Sequence, residues 1–297
     1  MAIVIQPISP VAVNLFGLDI RWYALAYIVA FIVGYWLMRR LDGTTRIIES
    51  KKHWDDLLAY VILGTIIGGR LGYVLFYNLS FFIAHPLEIF MIWHGGMSFH
   101  GGMLGVLVSV FLFSWKTERL KQIEERRAKS KGNEKIYNSP TLCALRSATF
   151  NAVSILDLVA VVAPIGLFFG RIANFINMEV MGRATDGPLG IVFAGARDQT
   201  PRHASQLYEA ALEGVVLFII MLCLWRFTKL RERKGALMGA FAIGYAVFRI
   251  FCEQFREPDV HIGFLTDWGL TMGQLLSFAM LIAGTILFVV AVRRKKS

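Results

Sequence analysis

The sequence is dominated by long apolar blocks, and these blocks constrain the fold more than any other feature. A membrane-spanning helix requires about 20 mainly apolar residues. The 297-residue chain is 56% hydrophobic, and seven blocks reach or approach the required length, at residues 20–38, 57–77, 100–115, 156–177, 207–225, 236–255 and 270–292. We therefore expect an all-α integral membrane protein with about seven transmembrane helices, built as one polytopic membrane domain over residues 1–297.

The basic residues are concentrated on one side of the predicted membrane. The chain carries a net charge of +10, and 23 of its 31 Lys and Arg residues fall in the segments 39–56, 116–150, 226–235 and 293–297. Because positively charged loops stay in the cytoplasm, this distribution predicts an outside N-terminus and a cytoplasmic C-terminus. The basic excess is explained by topology, so we expect no nucleic-acid partner.

Two segments between the predicted helices are longer than simple connectors. Residues 116–150 are charged and poor in apolar residues, which predicts an extended, solvated or partly helical cytoplasmic loop. Residues 178–205, between spans four and five, alternate turn residues with the apolar run "LGIVF". This pattern predicts a small extracytoplasmic cap with one or two short strands. The segment "MAIVIQPISPVAVNLFG" is expected to lead into the first helix on the same side.

Glycines recur at helical spacing in the second and third spans. Glycine at every fourth position lets two helices approach closely in lipid. The pattern therefore predicts contact between these spans through Gly64, Gly68, Gly72, Gly101 and Gly105. The stretch "HGGMSFHGG", residues 94–102, holds four glycines in nine residues, which indicates a backbone that bends or approaches another group closely.

Ionisable residues within spans are costly and usually mark function. Arg70 lies on a helical stripe with Tyr73 and Tyr77, and Arg171 shares a face with Asn174. One face of the sixth span carries Tyr245, Arg249, Glu253 and Arg256. Arginines beside tyrosine and asparagine side chains suit bidentate capture of a lipid phosphate, although structural ion pairs such as Arg249 with Glu253 are an alternative. The predicted ligand is an anionic lipid.

The histidines are the remaining candidates for metal-binding or catalytic residues. His94 and His100 flank the glycine-rich stretch, and His203 lies in "PRHASQLYE". Their spacing matches no metal-binding motif, and the GxSxG motif of a serine hydrolase is absent around Ser98, so we expect no metal and no cofactor. An imidazole without a metal, close to a phosphate site, is suited to accepting a proton.

Five blocks together resemble a known family. The blocks "GGRLGYVLFYN", "GGMSFHGG", "GRIANFIN", "PRHASQLYE" and "GYAVFRIFCEQFREPD" resemble, in order and spacing, the prolipoprotein diacylglyceryl transferases of bacterial inner membranes. The likeness covers nearly the whole chain except the loop at 116–150. The sequence departs from the family pattern at Ala173 and Met178, where glycine is usual.

The resemblance implies transfer of the diacylglyceryl group of phosphatidylglycerol to the lipobox cysteine of a prolipoprotein signal peptide. It implies a multi-pass enzyme of the bacterial inner membrane whose site faces the periplasm. The expected catalytic residues are His100 as the base and Arg171 and Arg249 as the phosphate-binding groups. The expected substrate-binding residues are Tyr23, Arg70, Asn174, Glu179, Gly182, His203, Tyr245, Glu253 and Arg256.

Two other classes remain as alternatives. A seven-span transporter or receptor for an anionic solute or lipid would also use arginines within spans, but a transport path needs polar residues through the full bilayer depth. The cytoplasmic halves of the predicted spans are almost uniformly apolar. An intramembrane protease would need a serine motif or paired aspartates, and neither pattern occurs within the spans.

The charge distribution makes the topology testable. A reporter fused after Ser297 should be cytoplasmic, and one inserted near Asp198 should be extracytoplasmic, because 23 basic residues hold their segments inside. Alkaline phosphatase and green fluorescent protein fusions measure the two sides independently. The opposite sidedness at either position would contradict the predicted orientation.

Overall fold

A computed structural model gives the structure of residues 3–15, 18–43, 45, 47–48, 50–77, 79–92, 95–130, 151–194, 199–258, 263–267 and 269–294. The described residues form eight helices. These are α1 Trp22–Asp42, α2 Lys51–Tyr77, α3 Leu79–Ala84, α4 Phe99–Ser130, α5 Ala152–Ile176, α6 Ser205–Phe227, α7 Ala236–Cys252 and α8 Met272–Arg293. Two short 3₁₀ turns lie at Pro86–Phe90 and Leu230–Glu232.

Six of these helices are long and apolar enough to cross a membrane, and α7 is a shorter apolar helix of 17 residues. The prediction of a multi-pass, mainly helical membrane protein is therefore confirmed. The helix of the third span continues beyond Trp115 to Ser130, into the segment that was predicted to be solvated or partly helical. The residues there include Glu, Lys, Arg and Leu, which all favour helix. Residues 131–150 of the predicted loop lie outside the described residues.

The chain divides into two compact units. Unit A comprises Met1–Met38 and Asp157–Ser297, and unit B comprises Arg39–Leu156. The single domain predicted over residues 1–297 stays a prediction.

Four short strands accompany the helices of unit A. Strand β1, Ile3–Ile5, pairs in parallel with β4, Ile191–Phe193, which lies in the segment where the sequence predicted one or two strands. Strands β2, Val11–Leu15, and β3, Leu18–Arg21, form an antiparallel hairpin. The three N-terminal strands were not predicted, because the lead-in sequence lacks a regular alternation of polar and apolar residues.

A buried carboxylate from another helix caps the start of helix α7. Asp157 of α5 accepts hydrogen bonds from the backbone N–H groups of Gly235, at 2.7 Å, and Met238, at 2.8 Å. A carboxylate at a helix N-terminus satisfies N–H groups that lack intrahelical partners and complements the helix dipole. Helix α8 begins with a capping box between Thr271 and Gln274. These caps fix the residues at which α7 and α8 begin.

Unit B is built on the close contact of α2 and α4. A Cβ atom added to Gly72 would lie 2.5 Å from the Cα of Gly101, and one added to Gly68 would lie 2.7 Å from the Cα of Gly105. No side chain larger than hydrogen fits at these positions. The expected contact between the second and third spans is present and uses the predicted glycines.

Adding a methyl group in this interface should destabilise the protein, whereas adding one nearby on the same helix should not. In Gly105→Ala, the new methyl group would lie 2.8 Å from the carbonyl carbon of Gly64, and we expect a loss of about 1–3 kcal/mol. The matched control is Gly102→Ala, where the nearest atom is 3.6 Å away. Thermal unfolding in detergent should show a lower Tm for Gly105→Ala only. Equal melting of both variants would contradict the packing argument.

Candidate active site

Unit A contains a cluster of alternating positive and negative side chains, which we call the ion-pair cluster. Its members come from α5, α6, α7 and the turn after α7. They are Arg171, Glu209, Glu213, Arg249, Glu253 and Arg256. Three guanidinium groups face three carboxylates, so the cluster is neutral if each side chain carries its usual charge.

Glu209 lies at the centre of the cluster. One of its carboxylate oxygens, Oε2, is 2.7 Å from Arg171 Nε and 2.7 Å from Arg249 Nη1. The other oxygen, Oε1, is 3.8 Å from Arg256 Nη1. The side chain of Glu209 is 1% exposed, so its charge is compensated by these arginines rather than by water.

Glu253 holds Arg249 from the opposite side. Its Oε1 accepts a hydrogen bond from Arg249 Nη2 at 2.5 Å, and its Oε2 accepts one from Thr271 Oγ1 at 2.9 Å. Gly273 allows this carboxylate to approach α8, since a Cβ there would lie 2.8 Å from the carboxyl carbon of Glu253. The alternative read from the sequence, an ion pair between Arg249 and Glu253, is therefore present within the predicted arginine site.

The two glutamates of α6 share a face because they are four residues apart in a helix. Residues Ala210–Val216 form a π-helical segment, whereas Ser205–Glu209 and Leu217–Phe227 are α-helical. Such π segments occur frequently at functional sites. Glu209 and Glu213 both contact Arg171 and Arg249.

Glu209 and Glu213 were not among the predicted site residues. A signal for them was present, since both lie within the otherwise apolar stretch "YEAALEGVVLFIIMLC". Carboxylates within a span pair with opposite charges. Their partners are on other helices, however, and spacing within one helix cannot identify them.

A strained turn follows α5 and carries another predicted residue. Glu179 accepts hydrogen bonds from Asn174 Nδ2, at 3.3 Å, and from Asn177 Nδ2, at 3.4 Å. Met178 and Val180 on either side of it have positive φ angles of 54° and 58°. Such a backbone costs of order 1–3 kcal/mol for a residue other than glycine and persists only when its surroundings hold it.

The start of α6 holds this turn in place. The side chain of Gln206 is buried and donates a hydrogen bond from Nε2 to the carbonyl oxygen of Glu179 at 2.6 Å. Ser205 Oγ donates to the carbonyl oxygen of Val180 at 3.1 Å. The strain at residues 178–180 is therefore offset by side chains from α6.

Gly182 and His203 lie next to each other on adjacent extended segments. The N–H of Gly182 donates to the carbonyl oxygen of His203 at 3.0 Å, and a Cβ on Gly182 would lie 2.6 Å from the carbonyl oxygen of Phe255. The ring of His203 contacts Tyr208, with Nδ1 3.2 Å from its hydroxyl oxygen. Because Gly182 has no side chain, the backbone of the segment before α6 and the backbone of the segment after α7 can both lie close to it.

The two predicted tyrosines lie on different helices of unit A. Tyr245 is buried on α7 and lies within electrostatic range of Glu213 and Arg249. Tyr23 lies in the first turn of α1, with its ring 5.3 Å from that of Tyr27. Tyr27 is within electrostatic range of Arg171. The structure thus brings Tyr245 to the ion-pair cluster, while the expected role of Tyr23 stays a prediction.

Arg70 lies in unit B and has a different environment. Its five N–H groups donate to backbone carbonyl oxygens of the segment between α3 and α4, namely those of Glu88, Ile89, Met91, Gly95 and Gly96. Gly95 and Gly96 have positive φ angles of 88° and 83°, which shape this segment around the guanidinium group. Arg70 organises the entry to α4, and its expected contact with substrate stays a prediction.

The stretch "HGGMSFHGG" combines a bend with a helix start. Gly95 and Gly96 make the bend, and Ser98 Oγ accepts a hydrogen bond from the N–H of Gly101 at 3.2 Å, as an N-cap residue does. Helix α4 begins at Phe99, so Gly101 and Gly102 are helical, and Gly101 makes the close approach to α2. His100 lies half-buried in the first turn of α4, in unit B. His94 lies outside the described residues.

The structure thus defines a multi-pass membrane protein with a buried cluster of arginines and glutamates. The guanidinium groups remain partly accessible, with side-chain exposures of 16% for Arg171 and 12% for Arg256. Partly exposed guanidinium groups in such a setting are suited to binding an oxyanion.

The comparisons with known proteins identify the family. The profile described as prolipoprotein diacylglyceryl transferase matches residues 10–125 and 140–290, so the chain belongs to this family. A phosphatidylglycerol–prolipoprotein diacylglyceryl transferase of Rhodospirillum rubrum is 49% identical over 97% of this chain and 94% of its own length. Proteins of the same name from Azospirillum brasilense and Methylocella silvestris are 45% and 46% identical, over 99% and 97% of this chain and 98% and 95% of their own lengths. The unmatched residues 126–139 fall within the predicted loop.

Removing the Gln206 amide should loosen the turn that carries Glu179. Gln206→Leu leaves the carbonyl group of Glu179 without its donor from α6, and we expect a loss of about 0.5–1.5 kcal/mol in stability. Ser205→Ala removes the second bond from α6 to the same turn, at 3.1 Å, and should cost a similar amount. Thermal unfolding and hydrogen exchange at residues 177–182 measure the effect. Wild-type exchange in Gln206→Leu would show that the turn does not depend on α6.

Proposed function

We propose that this protein transfers the diacylglyceryl group of phosphatidylglycerol to the lipobox cysteine of prolipoproteins, the first step of bacterial lipoprotein maturation. The cysteine sulfur forms a bond to the glycerol carbon while the bond from that carbon to the phosphate oxygen breaks. The thiol proton leaves the sulfur, and glycerol phosphate is released. Family membership supports this reaction over the transporter or receptor considered from the sequence.

The observation that carries the proposal is the convergence of Arg171 and Arg249 on one oxygen atom. Both guanidinium groups lie 2.7 Å from Glu209 Oε2, so the two positive charges are aimed at a common point. A phosphate oxygen bound nearby would be reached by both. Because the phosphate gains negative charge as the C–O bond breaks, such preorganised donors stabilise the transition state more than the bound lipid.

The other site residues are proposed to orient the lipid or the arginines. Glu253 and Thr271 fix the position of Arg249, and Arg256 adds a third positive charge at the cluster. Asn174, at the end of α5, and Glu179, Gly182 and His203, in the adjoining turn and extended segments, would contact the headgroup. Arg70 and Tyr245 are assigned to the substrate site by their positions in the matching motifs, and Tyr23 by the resemblance to the family.

We assign the proton acceptor to His100. A free cysteine thiol has a pKa of about 8.5 and is mostly protonated at neutral pH, so attack on carbon requires a base or a positive potential. An imidazole accepts a proton in this range. The proposal places the site at the periplasmic side of the bacterial inner membrane, supported by the 23 basic residues in the segments predicted to be cytoplasmic.

A pH series separates the role of the arginines from that of the histidine. Incubation of the purified protein with phosphatidylglycerol and a lipobox peptide, followed by mass spectrometry, measures transfer. Arg249→Lys keeps the charge but loses the planar fork, so the rate should fall roughly 10²–10³-fold at every pH. His100→Ala should lose roughly 10²–10⁴-fold near neutral pH and recover part of that loss as the pH approaches the thiol pKa.

Arg226→Lys is the matched control for the arginine variant. Arg226 lies at the other end of α6 from the ion-pair cluster, with its guanidinium over the Phe227 ring, and its replacement should leave the transfer rate unchanged. Full activity of His100→Ala at neutral pH would rule out His100 as the base. Absence of any mass shift with the wild-type protein would contradict the proposed reaction itself.

A further inference from the structure

The charge balance of the ion-pair cluster has a consequence for lipid binding, provided that the proposed function is correct. The cluster pairs three arginines with three glutamates, and the bound lipid would add a phosphate with one negative charge. We propose that Glu213 takes up a proton when this phosphate binds, so that the cluster stays neutral. Glu213 would thus be a positioning residue that adjusts the charge around Arg171 and Arg249.

An uncompensated charge in the buried ion-pair cluster is costly. The effective penalty for burying an ion in a protein is several kcal/mol unless an opposite charge accompanies it. Buried ionisable groups avoid this penalty by becoming neutral. A phosphate that enters a neutral cluster therefore favours protonation of one of the surrounding carboxylates.

Of the three carboxylates in the ion-pair cluster, Glu213 is the one whose negative charge its contacts stabilise least. Glu209 is 2.7 Å from two arginines, and Glu253 accepts hydrogen bonds from Arg249 and Thr271. Within the part of the chain that the structure describes, Glu213 has two ion-pair contacts, both of 3.5 Å, to Arg171 Nη2 and Arg249 Nη1.

The burial of Glu213 supports the same assignment. Its side chain is 0% exposed, and neither of its carboxylate oxygens accepts a hydrogen bond from any residue that the structure describes. A carboxylate in this position gains the least from its surroundings when charged. It is therefore the first to accept a proton when a phosphate competes for the same arginines.

The groups that face Glu213 come from three helices and the turn after α7. They are Arg171 of α5, Glu209 on α6 itself, Tyr245, Arg249 and Cys252 of α7, and Arg256. The arginines favour the charged form of Glu213 until the phosphate engages them. Glu209 disfavours that form at all times, because it places a second negative charge on the same face of α6.

The proposal predicts the direction of the pH dependence. If binding of the lipid includes uptake of one proton, the affinity must fall as the pH rises, by up to about tenfold in Kd per pH unit. This slope applies at pH values at which the Glu213 carboxyl group is ionised in the lipid-free protein and protonated in the lipid-bound protein. Glu213→Gln mimics the protonated form, so its affinity should be independent of pH and at least as high as that of wild type at alkaline pH.

The binding experiment uses the full-length protein in nanodiscs of zwitterionic lipid. Diether phosphatidylglycerol is titrated at several pH values, with neutral diether glycerol lipid as the probe that lacks a phosphate. Glu118→Gln is the matched control, because the Glu118 side chain is 44% exposed on α4, and it should keep the wild-type slope. Glu213→Asp keeps a titratable group and should keep a slope, which provides a second test if Glu213→Gln does not fold.

Infrared difference spectra report the proton directly. Adding the diether lipid, which has no ester carbonyl group, to the wild-type protein should produce a carboxylic acid band that is absent from Glu213→Gln. A wild-type affinity independent of pH, or a band unchanged by lipid, would overturn the role of Glu213 and leave the proposed function intact. Failure of the wild-type protein to bind phosphatidylglycerol at any pH would overturn both.

Discussion

The interaction on which the site depends is the contact of one buried carboxylate with arginines from two other helices. Glu209 of α6 lies 2.7 Å from Arg171 of α5 and 2.7 Å from Arg249 of α7. Removing one partner of a buried ion pair costs about 3–5 kcal/mol, because the remaining charge is left uncompensated. The same contact that links the three helices therefore aligns the guanidinium groups, and the stability of unit A and the geometry of its site have one origin.

The protein uses arginine within its spans in two distinct ways. Arg70 donates hydrogen bonds to five carbonyl oxygens, so backbone dipoles stabilise its charge and fix the position of its guanidinium group. Arg171 and Arg249 instead face carboxylates and keep side-chain exposures of 16% and 9%. The first arrangement builds structure around the cation, whereas the second leaves part of the cation accessible. The residue type alone does not distinguish these roles.

The sequence predicted the features that depend on local periodicity. The apolar blocks identified the spans, the glycine spacing identified the contact of α2 with α4, and the polar face of α7 identified Arg249. The missed features depend on contacts between distant segments. Glu213 has its partners on other helices, and the acceptors of Arg70 lie 18 to 26 residues away along the chain.

Helix α6 positions both parts of the site. Gln206 and Ser205 hold the strained turn around Glu179, while Glu209 and Glu213 contact the arginines. The two carboxylates are four residues apart, so they lie on one face of the helix. The π-helical segment Ala210–Val216 begins directly after Glu209, and the preceding residues that hold the turn are α-helical. Because the groups that hold the turn are separate from Glu213, proton uptake at Glu213 would change the charge of the cluster without removing a hydrogen bond to the turn around Glu179.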